Sequence, residues 1–284
     1  VIVSSDAGNG VGYTGIRIRG TDATRINVTL NGIPYNDAES QGSFFVDLPD
    51  FVSSVNSIQV QRGVGTSSNG AGAFGATINM TTNEFIEKAY AESNNSYGSF
   101  NTWKNTLKAG TGLIDDHFTV DARLSSLKSD GYIDRAGSDL KSFYLSTAYF
   151  SGKASLRLNV FSGKEKTYQA WNGVPESLLK INRTYNSAGT EKPGEPYENE
   201  TDNYQQDHYQ LFYNQGINDR LSFNVAAFLS RGKGYYEQYK ASRKFTDFGL
   251  PNLTIGDSII THTDVVRQLW LDNYYYGGIF SLQY

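Results

Sequence analysis

The sequence predicts a mainly β protein, a transmembrane antiparallel β-barrel preceded by a small mixed α/β domain. From residue 88 onward, runs of about ten residues alternate apolar and polar side chains, and this is the length that a tilted strand needs to cross a bilayer. Short and long connections between these runs alternate along the chain. The 20 Tyr and 16 Phe accompany a mean hydropathy of -0.46, which is typical of transmembrane barrels because their lumen-facing residues are polar.

Composition narrows the classes of function. The chain has 284 residues and no cysteine, which excludes a disulfide scaffold, a thiolate metal site and a cysteine nucleophile. Its 25 Lys and Arg stand against 29 Asp and Glu, so the formal charge is -4 and nucleic acid is not expected as a partner. The chain starts at Val1 without a methionine or a leader and stops in a strand-like run at Tyr284. We therefore interpret it as a fragment of a longer precursor.

Residues 1–82 are expected to form the first unit. Residues 16–19 and 26–30 alternate as short strands, and Asn31-Gly32 is a favoured sequence for a tight hairpin turn. Short strands with abundant glycine predict a small mixed α/β domain that lacks the long elements of a doubly wound sheet.

The second half of this unit combines a loop, a short helix and a glycine-rich segment. Residues 36–45 are a polar loop, and Pro49 suits the first turn of a short helix within 46–57. Residues 58–81 hold two short strands, and the glycines between them allow tight turns and close backbone approach. The glycines expected to pack this unit are Gly63, Gly70, Gly72 and Gly75.

After a linker at 83–87, residues 88–284 are expected to be the first strands of an incomplete barrel. The predicted strands cover 88–97, 100–110, 117–127, 141–151, 154–164, 204–216, 220–232 and 268–284. Short connections are predicted at 112–116, 151–153 and 217–219, and long ones at 129–140, 166–203 and 233–267. Short turns at one end and long loops at the other are typical of outer-membrane barrels. A soluble β-sandwich is the disfavoured alternative, because it has no reason to segregate loop lengths.

The sequence contains no pattern that indicates catalysis, a cofactor or a metal. Residues 70–75 match G-x-G-x-x-G, but a strand rather than a helix follows, so we reject nucleotide binding. His117, His208 and His262 are scattered singly, without a ligand at helical spacing. We therefore predict that the chain is not an enzyme and has no cofactor.

The residues that have now been described resemble those of the TonB-dependent outer-membrane receptors. The resemblance rests on IRIRG at 16–20, NVTLNGIP at 27–34 and IQVQRGVGTSSNGAGAFGATINM at 58–80. Together these look like the C-terminal part of the family's plug domain. Residues 65–79 are most similar to receptors of the ferric citrate and related iron-chelate type. They are less like the SusC-type glycan importers, which usually carry an aspartate where this chain has Asn31.

The resemblance implies a globular plug inside a barrel of about 22 strands. It further implies an outer-membrane location in a Gram-negative bacterium and active import of a scarce solute, such as a ferric chelate or siderophore. The partners that it implies are a TonB-type energy-coupling protein, bound through an N-terminal segment absent here, and outer-membrane lipid. A surface lipoprotein is a further expected partner.

Three groups of residues follow as candidates. Arg17, Arg19 and Arg62 are expected to pair the plug with carboxylates of the barrel lumen. Loop tips of the plug are expected to contact the solute from below, and the long loop at 166–203 is expected to contact it from above. An anionic chelate would favour binding by Arg25 and Arg183. The candidate ligand-binding residues are Arg25, Asn36, Asp37, Glu39, Gln41, Phe44, Tyr168, Trp171 and Arg183.

Other functions stay open at this point. One is a SusC-like glycan importer, and another is a non-transporting surface-binding barrel or adhesin. A barrel enzyme predicts a cluster of serine, histidine and acid, which this sequence does not show.

Overall fold

The computed structural model describes residues 1–64 and 73–284. A small N-terminal unit, comprising the described residues up to 82, packs against one face of an eight-stranded antiparallel sheet, which we call the wall. Among the described residues, no helix is long and apolar enough to span a membrane.

The N-terminal unit is built on a four-stranded sheet in the order β4-β3-β6-β5. β3 and β6 run parallel, with Val28 opposite Ile78, and the tight turn at Asn31-Gly32 has both residues at positive φ, as the sequence predicted. β3 is buried at every position because both of its faces are covered, one by the wall. The strands of this unit are β1 (Ile2–Ser5), β2 (Thr14–Arg17), β3 (Ile26–Leu30), β4 (Ile33–Pro34), β5 (Ser57–Arg62) and β6 (Ala76–Thr81).

The helix expected near Pro49 is present only as 3-10 turns. They cover Phe45–Asp47 and Phe51–Ser54, and a further turn covers Ala23–Arg25. Pro49 lacks an N–H, and Asp50 takes a left-handed φ of 53°, so the two turns cannot merge into one helix.

The wall is a meander of eight strands in the order β16-β13-β12-β11-β10-β9-β8-β7. Every neighbouring pair is antiparallel. The strands are β7 (Tyr90–Gly98), β8 (Thr102–Gly110), β9 (Phe118–Ser129), β10 (Ser138–Ser151), β11 (Ala154–Tyr168), β12 (Thr201–Gly216), β13 (Ser222–Lys244) and β16 (His262–Gln283).

The predicted long loop at 233–267 is wrong. β13 continues to Lys244 and β16 begins at His262, so the loop covers only 245–261. It holds the 3-10 turn Phe245–Phe248 and a small hairpin of β14 (Leu253–Ile255) and β15 (Ser258–Ile260). The extensions carry polar and aromatic side chains on both faces, so the alternation that marks the membrane-length part of each strand is missing there.

The two faces of the wall have the predicted alternation. Phe118, Leu124 and Leu156 are exposed on one face. Arg123 and Asn159 are buried on the other, beneath the N-terminal unit. Apolar residues outside and polar residues inside are what a lipid-facing barrel wall requires.

One hydrophobic core joins the N-terminal unit to the wall. Phe51 of the unit packs on Phe161 and Tyr144 of the wall, with ring centroids 5.0 Å and 6.2 Å away. Phe161 is 1% exposed and lies in the same cluster as Val28 and Ile78. The unit is therefore held to the wall by apolar burial as well as by polar contacts.

Candidate functional site

A cleft of about 540 Å³ lies between the N-terminal unit and the wall, near the wall's long-loop end. The N-terminal unit and the wall share its lining almost equally. From the unit come Asp6, Tyr13, Tyr35, Asp37, Glu39, Ser40, Phe44 and Asp47. From the wall and its loops come Glu165, Trp171, Asp202, Tyr204, Gln206, Tyr235, Tyr236, Leu271 and Asn273.

The loop at 36–42 supplies one side of the cleft and is held by its own side chains. Asn36 accepts a hydrogen bond from Val28 N at 2.7 Å and donates from Nδ2 to the carbonyl of Gln41 at 2.9 Å. The Asp37 carboxylate accepts from the backbone N–H groups of Glu39 and Ser40, at 3.0 and 2.7 Å. These local bonds are typical of Asx turns, and they fix the loop that presents Glu39 to solvent.

Three carboxylic acids meet at the bottom of the cleft. Asp47 belongs to the 3-10 turn of the N-terminal unit, whereas Glu165 and Asp202 stand on β11 and β12. Burial, and next the charge of Asp202, raise the pKa of Asp47 to about 8. A phenol completes the group, since Tyr13 Oη donates to Asp202 Oδ2 at 2.6 Å. Burial and the carboxylates of Glu165 and Asp202 raise the pKa of Tyr13, so its phenol stays protonated and remains a donor.

Aromatic rings form the side of the cleft that lies towards the long loop. Trp171 sits between Tyr13 and Tyr236, at 5.9 and 6.1 Å between ring centroids, and is nearly perpendicular to both. It is 44% exposed, so part of the indole faces the cleft. Edge-to-face rings of this kind offer a rigid surface on which a ligand can pack.

The long loop that carries Trp171 is tied down to β13. Tyr197 Oη donates to Glu237 Oε1 at 2.7 Å, and Lys240 Nζ lies 2.5 Å from Glu191 Oε1. The loop therefore has a defined position over the cleft.

The predicted ligand-binding residues fall into three groups. Asp37, Glu39, Phe44 and Trp171 come together in the cleft lining. Asn36 and Gln41 shape the loop beside it. The remaining three, Arg25, Arg183 and Tyr168, are outside the described lining.

The positions of these three residues have clear physical reasons. Arg25 and Arg183 are exposed. Tyr168 is fully buried, and its hydroxyl accepts from Ala7 N at 3.1 Å and donates to Val11 O at 3.0 Å. With its ring and hydroxyl occupied, Tyr168 attaches the start of the N-terminal unit to the wall rather than facing the cleft.

A charged contact that the sequence analysis did not single out joins the unit to the wall, while the pairing expected of the three plug arginines stays a prediction. The side chain of Asp50 is 4% exposed and lies 2.5 Å from Lys104 Nζ and 3.7 Å from Arg123 Nη1. It also accepts hydrogen bonds from Ser53 and Thr106, at 2.6 and 2.5 Å, and from Ser125. The N-terminal unit thus supplies the carboxylate and the wall supplies the cations. Arg17, Arg19 and Arg62 are exposed in the described structure.

Two of the four predicted packing glycines can be placed. At Gly75 a Cβ would lie 3.0 Å from the carbonyl oxygen of Arg25 and closer still to Thr21, so a side chain does not fit there. Gly63 has φ +88°, which also favours glycine. Both pack within the N-terminal unit. Gly70 and Gly72 lie outside the described residues.

The sequence analysis missed Asp47, Asp50, Glu165 and Asp202. A signal for one of them was present, since Glu165 continues the polar register of Arg157 and Asn159 along β11. The metal-ligating side chains of the described residues form no group of three that could hold a metal ion.

A small unit seated on the polar face of a membrane-length antiparallel meander is the arrangement of a plug domain against part of a β-barrel wall. Residues 1–77 match the TonB-dependent receptor plug domain family. The comparison with curated proteins found no match.

Solved structures share this fold. The ferric-catecholate import receptor Fiu from Escherichia coli K12, in its open form, is 18% identical with a TM-score of 0.68, over 94% of this chain and 40% of that chain. The ferric preacinetobactin receptor BauA from Acinetobacter baumannii is 15% identical with a TM-score of 0.65, over 99% and 39%. The unliganded ferric citrate transporter FecA is 16% identical with a TM-score of 0.62, over 98% and 44%.

Residues 1–77 are therefore similar to a TonB-dependent receptor plug domain, and the chain shares the fold of these solved receptors, as its sequence predicted. It spans 39 to 44% of the length of these three receptors. The match to a receptor family agrees with the prediction that the chain is not an enzyme.

Proposed function

We propose that this chain belongs to an outer-membrane receptor that binds a ferric chelate and imports it through a plugged barrel with TonB-coupled energy. The observation that carries the proposal is the shared lining of the cleft, since a ligand bound there touches the plug and the wall at once. Such a ligand can report its presence to the plug, which is the part that has to move. The names of the similar structures, which are import receptors for ferric chelates, support the class of solute.

The docked plug explains why energy is needed. Its contact with the wall combines the apolar packing of Phe51 on Phe161 with the buried Asp50 carboxylate. Undocking would expose this packed apolar surface to water and break the hydrogen bonds of the Asp50 carboxylate, so it costs free energy that has to be supplied. In this proposal a TonB-type protein of the inner membrane supplies the work, and outer-membrane lipid contacts the apolar face of the wall.

The proposal is tested by iron uptake in the host bacterium. A strain lacking the gene should take up less radiolabelled iron from at least one ferric chelate, and the intact gene should restore uptake. Uptake should also stop when the energy-coupling system is disabled. Normal uptake of every ferric chelate by the deletion strain would refute the proposal.

A second candidate, a glycan importer of the SusC type, is favoured by one observation. Trp171 and Tyr236 offer ring faces beside amide and carboxylate acceptors such as Gln206, a combination that suits sugar rings and their hydroxyl groups. It would bring in a surface lipoprotein as a partner. Loss of growth of the deletion strain on a single glycan, with iron uptake intact, would favour this candidate.

A further inference from the structure

Lysines gather on the outward face of the wall, the face away from the N-terminal unit, near the long-loop end. They are exposed, and each lies an even number of positions from an exposed apolar residue of its own strand, such as Leu124, Phe143 or Leu158. Because side chains alternate across a strand, the lysines share the face that meets lipid. On β9, β10 and β11 they are Lys128, Lys141, Lys164 and Lys166.

The register of the wall places two of these lysines side by side. β10 and β11 pair so that Lys141 stands directly opposite Lys164. Directly opposite residues have Cβ atoms about 4.5–5.5 Å apart, and like charges at such a position destabilise a sheet. An anion between the two ammonium groups would replace this repulsion with attraction.

The carboxylates on this face have other partners. Asp139 lies 2.9 Å from Lys128 and 4.0 Å from Lys141. Asp207, on β12, accepts two hydrogen bonds from neutral side chains, at 2.6 and 3.0 Å. Within the described part of the chain, Lys164 has no ion pair. The lysines of these strands therefore have an unsatisfied positive charge.

An open groove of about 660 Å³ connects the lysine pair to the apolar part of the wall. Leu107, Leu124 and Phe143 line it as one row across β8, β9 and β10. Lys141 and Lys164 lie in the next row towards the long-loop end. An apolar row followed by a cationic row fits a molecule with hydrocarbon chains and an anionic head group.

A pair of aromatic rings lies beside the lysines. Tyr97 and Trp103 are exposed, with ring centroids 4.5 Å apart, and Trp103 stands opposite Lys128. Tyrosine and tryptophan collect where a membrane meets water, because each combines an apolar ring with a polar group. The lysines are therefore at the level of the lipid head groups.

We propose that this groove binds a lipid of the outer leaflet whose head group carries phosphate. A phosphate is held between Lys141 and Lys164, and the acyl chains lie on Leu124 and Phe143. Phosphate suits the pair because ammonium groups form charge-assisted hydrogen bonds with its oxygens. The inference goes beyond the proposed function, since it requires the wall to lie in the outer membrane but requires no particular solute.

The test measures lipid binding to the purified full-length receptor in detergent, without any iron chelate. The probes are radiolabelled lipid A with two phosphate groups, the same lipid with both phosphates removed, and inorganic pyrophosphate as a competitor. We expect the phosphorylated lipid to bind about thirty-fold more tightly than the dephosphorylated form, from two lysines near an anionic head group. Pyrophosphate should bind far more weakly than the lipid, because it has no acyl chains.

Variants locate the effect. Lys141→Gln and Lys164→Gln should each weaken binding of the phosphorylated lipid about five-fold, and the double variant about thirty-fold. Lys164→Arg keeps the charge and should bind as the wild type does. The matched control Lys153→Gln alters a lysine of similar exposure, 57% against 63% for Lys141, at the short-turn end of the same wall. It should leave binding unchanged.

Several results would overturn the inference. They are equal binding of the two lipid forms, unchanged binding in the double variant, or an equal loss in Lys153→Gln. If pyrophosphate binds as tightly as the lipid, the lipid assignment falls as well. The proposed function is judged separately by iron uptake: normal uptake in the deletion strain would refute import and leave the lipid result standing.

Discussion

Replacing Asp50 with alanine should loosen the plug from the barrel wall. Asp50 is the buried carboxylate through which the 3-10 region of the plug contacts β8 and β9, and it pairs with Lys104 and Arg123. The substitution leaves both cations without their carboxylate. It also leaves the hydroxyls of Thr106 and Ser125 without their acceptor.

The expected magnitude follows from the exposure of the two cations. Breaking a buried ion pair by removing one partner costs about 3–5 kcal/mol, because the other charge stays buried. The Lys104 side chain is 36% exposed and can be rehydrated, whereas Arg123 is 2% exposed and cannot. We therefore expect the lower end, about 3 kcal/mol, which is roughly a hundred-fold shift in the docking equilibrium.

The contribution of Asp50 should also depend on pH. Burial alone would raise the pKa of the carboxyl, but hydrogen bonds from Lys104, Ser125, Ser53 and Thr106 outweigh it and hold the pKa below its usual value. A lowered pKa in the docked state means that the stabilisation is complete above the ordinary pKa of about 4. It should be lost as the pH falls through the lowered value, and in Asp50→Ala this acid dependence should shrink.

The chain contains no cysteine, which makes the assay direct. One cysteine introduced at the exposed Thr24 can carry a fluorophore that reports release of the plug during a urea titration of the receptor in lipid nanodiscs. Linear extrapolation then gives the docking free energy in water. The control Asp219→Ala removes a carboxylate paired with Lys153 at 2.8 Å, but that carboxylate is 97% exposed, so no change is expected.

The reasoning is refuted if Asp50→Ala and the wild type release the plug at the same urea concentration. A double-mutant cycle sharpens the test. If Asp50 and Arg123 are coupled, Asp50→Leu combined with Arg123→Met should be far less destabilised than the sum of the two single variants. No buried charge is then left without a partner, since Lys104 is partly exposed and can be rehydrated.

Three further predictions concern the same interface. Gly163→Ala should prevent close docking, because a Cβ there would overlap the carbonyl oxygen of Asp47, and urea release should come earlier. Plug docking should weaken as the pH rises from about 4 to 8. The raised pKa of Asp47 means that the docked state holds a proton that the free state loses over this range, and Asp47→Asn should remove the dependence. Tyr168→Phe should cost about 1–3 kcal/mol by leaving Ala7 N and Val11 O unpaired, measured as faster proteolysis of the first residues.

Each of these has a matched control and a contradicting result. Gly137→Ala, where a Cβ meets only Ser129 O at 3.6 Å, should dock normally, and equal behaviour of the two glycine variants would contradict the steric argument. A pH profile unchanged in Asp47→Asn would contradict the assignment of the proton. For the tyrosine, Tyr213→Phe removes a hydroxyl whose bond to Gln215 is exposed and should have no effect on proteolysis.

Much of the architecture could be read from local patterns. The alternation in β9, β11 and β13 reports which face meets lipid, because side chains alternate strictly across a strand. The turn at Asn31-Gly32 and the glycine at 75 were likewise predictable, since positive φ and close approach restrict the residue type. Where both faces of a strand are polar, as after residue 233 in β13, alternation gave no signal and the sequence analysis predicted a loop in place of a strand.

The sequence by itself determined the plug, the membrane-length meander and the polar interior, because each depends on short-range spacing. Only the tertiary structure decided which polar residues meet. Asp47 and Glu165 are 118 positions apart, and Asp50 and Arg123 are 73 apart, yet both pairs are joined where the plug contacts the wall. Neither the acidic cleft nor the polarity of the docking contact follows from composition. Both depend on the register in which the plug is seated on the strands.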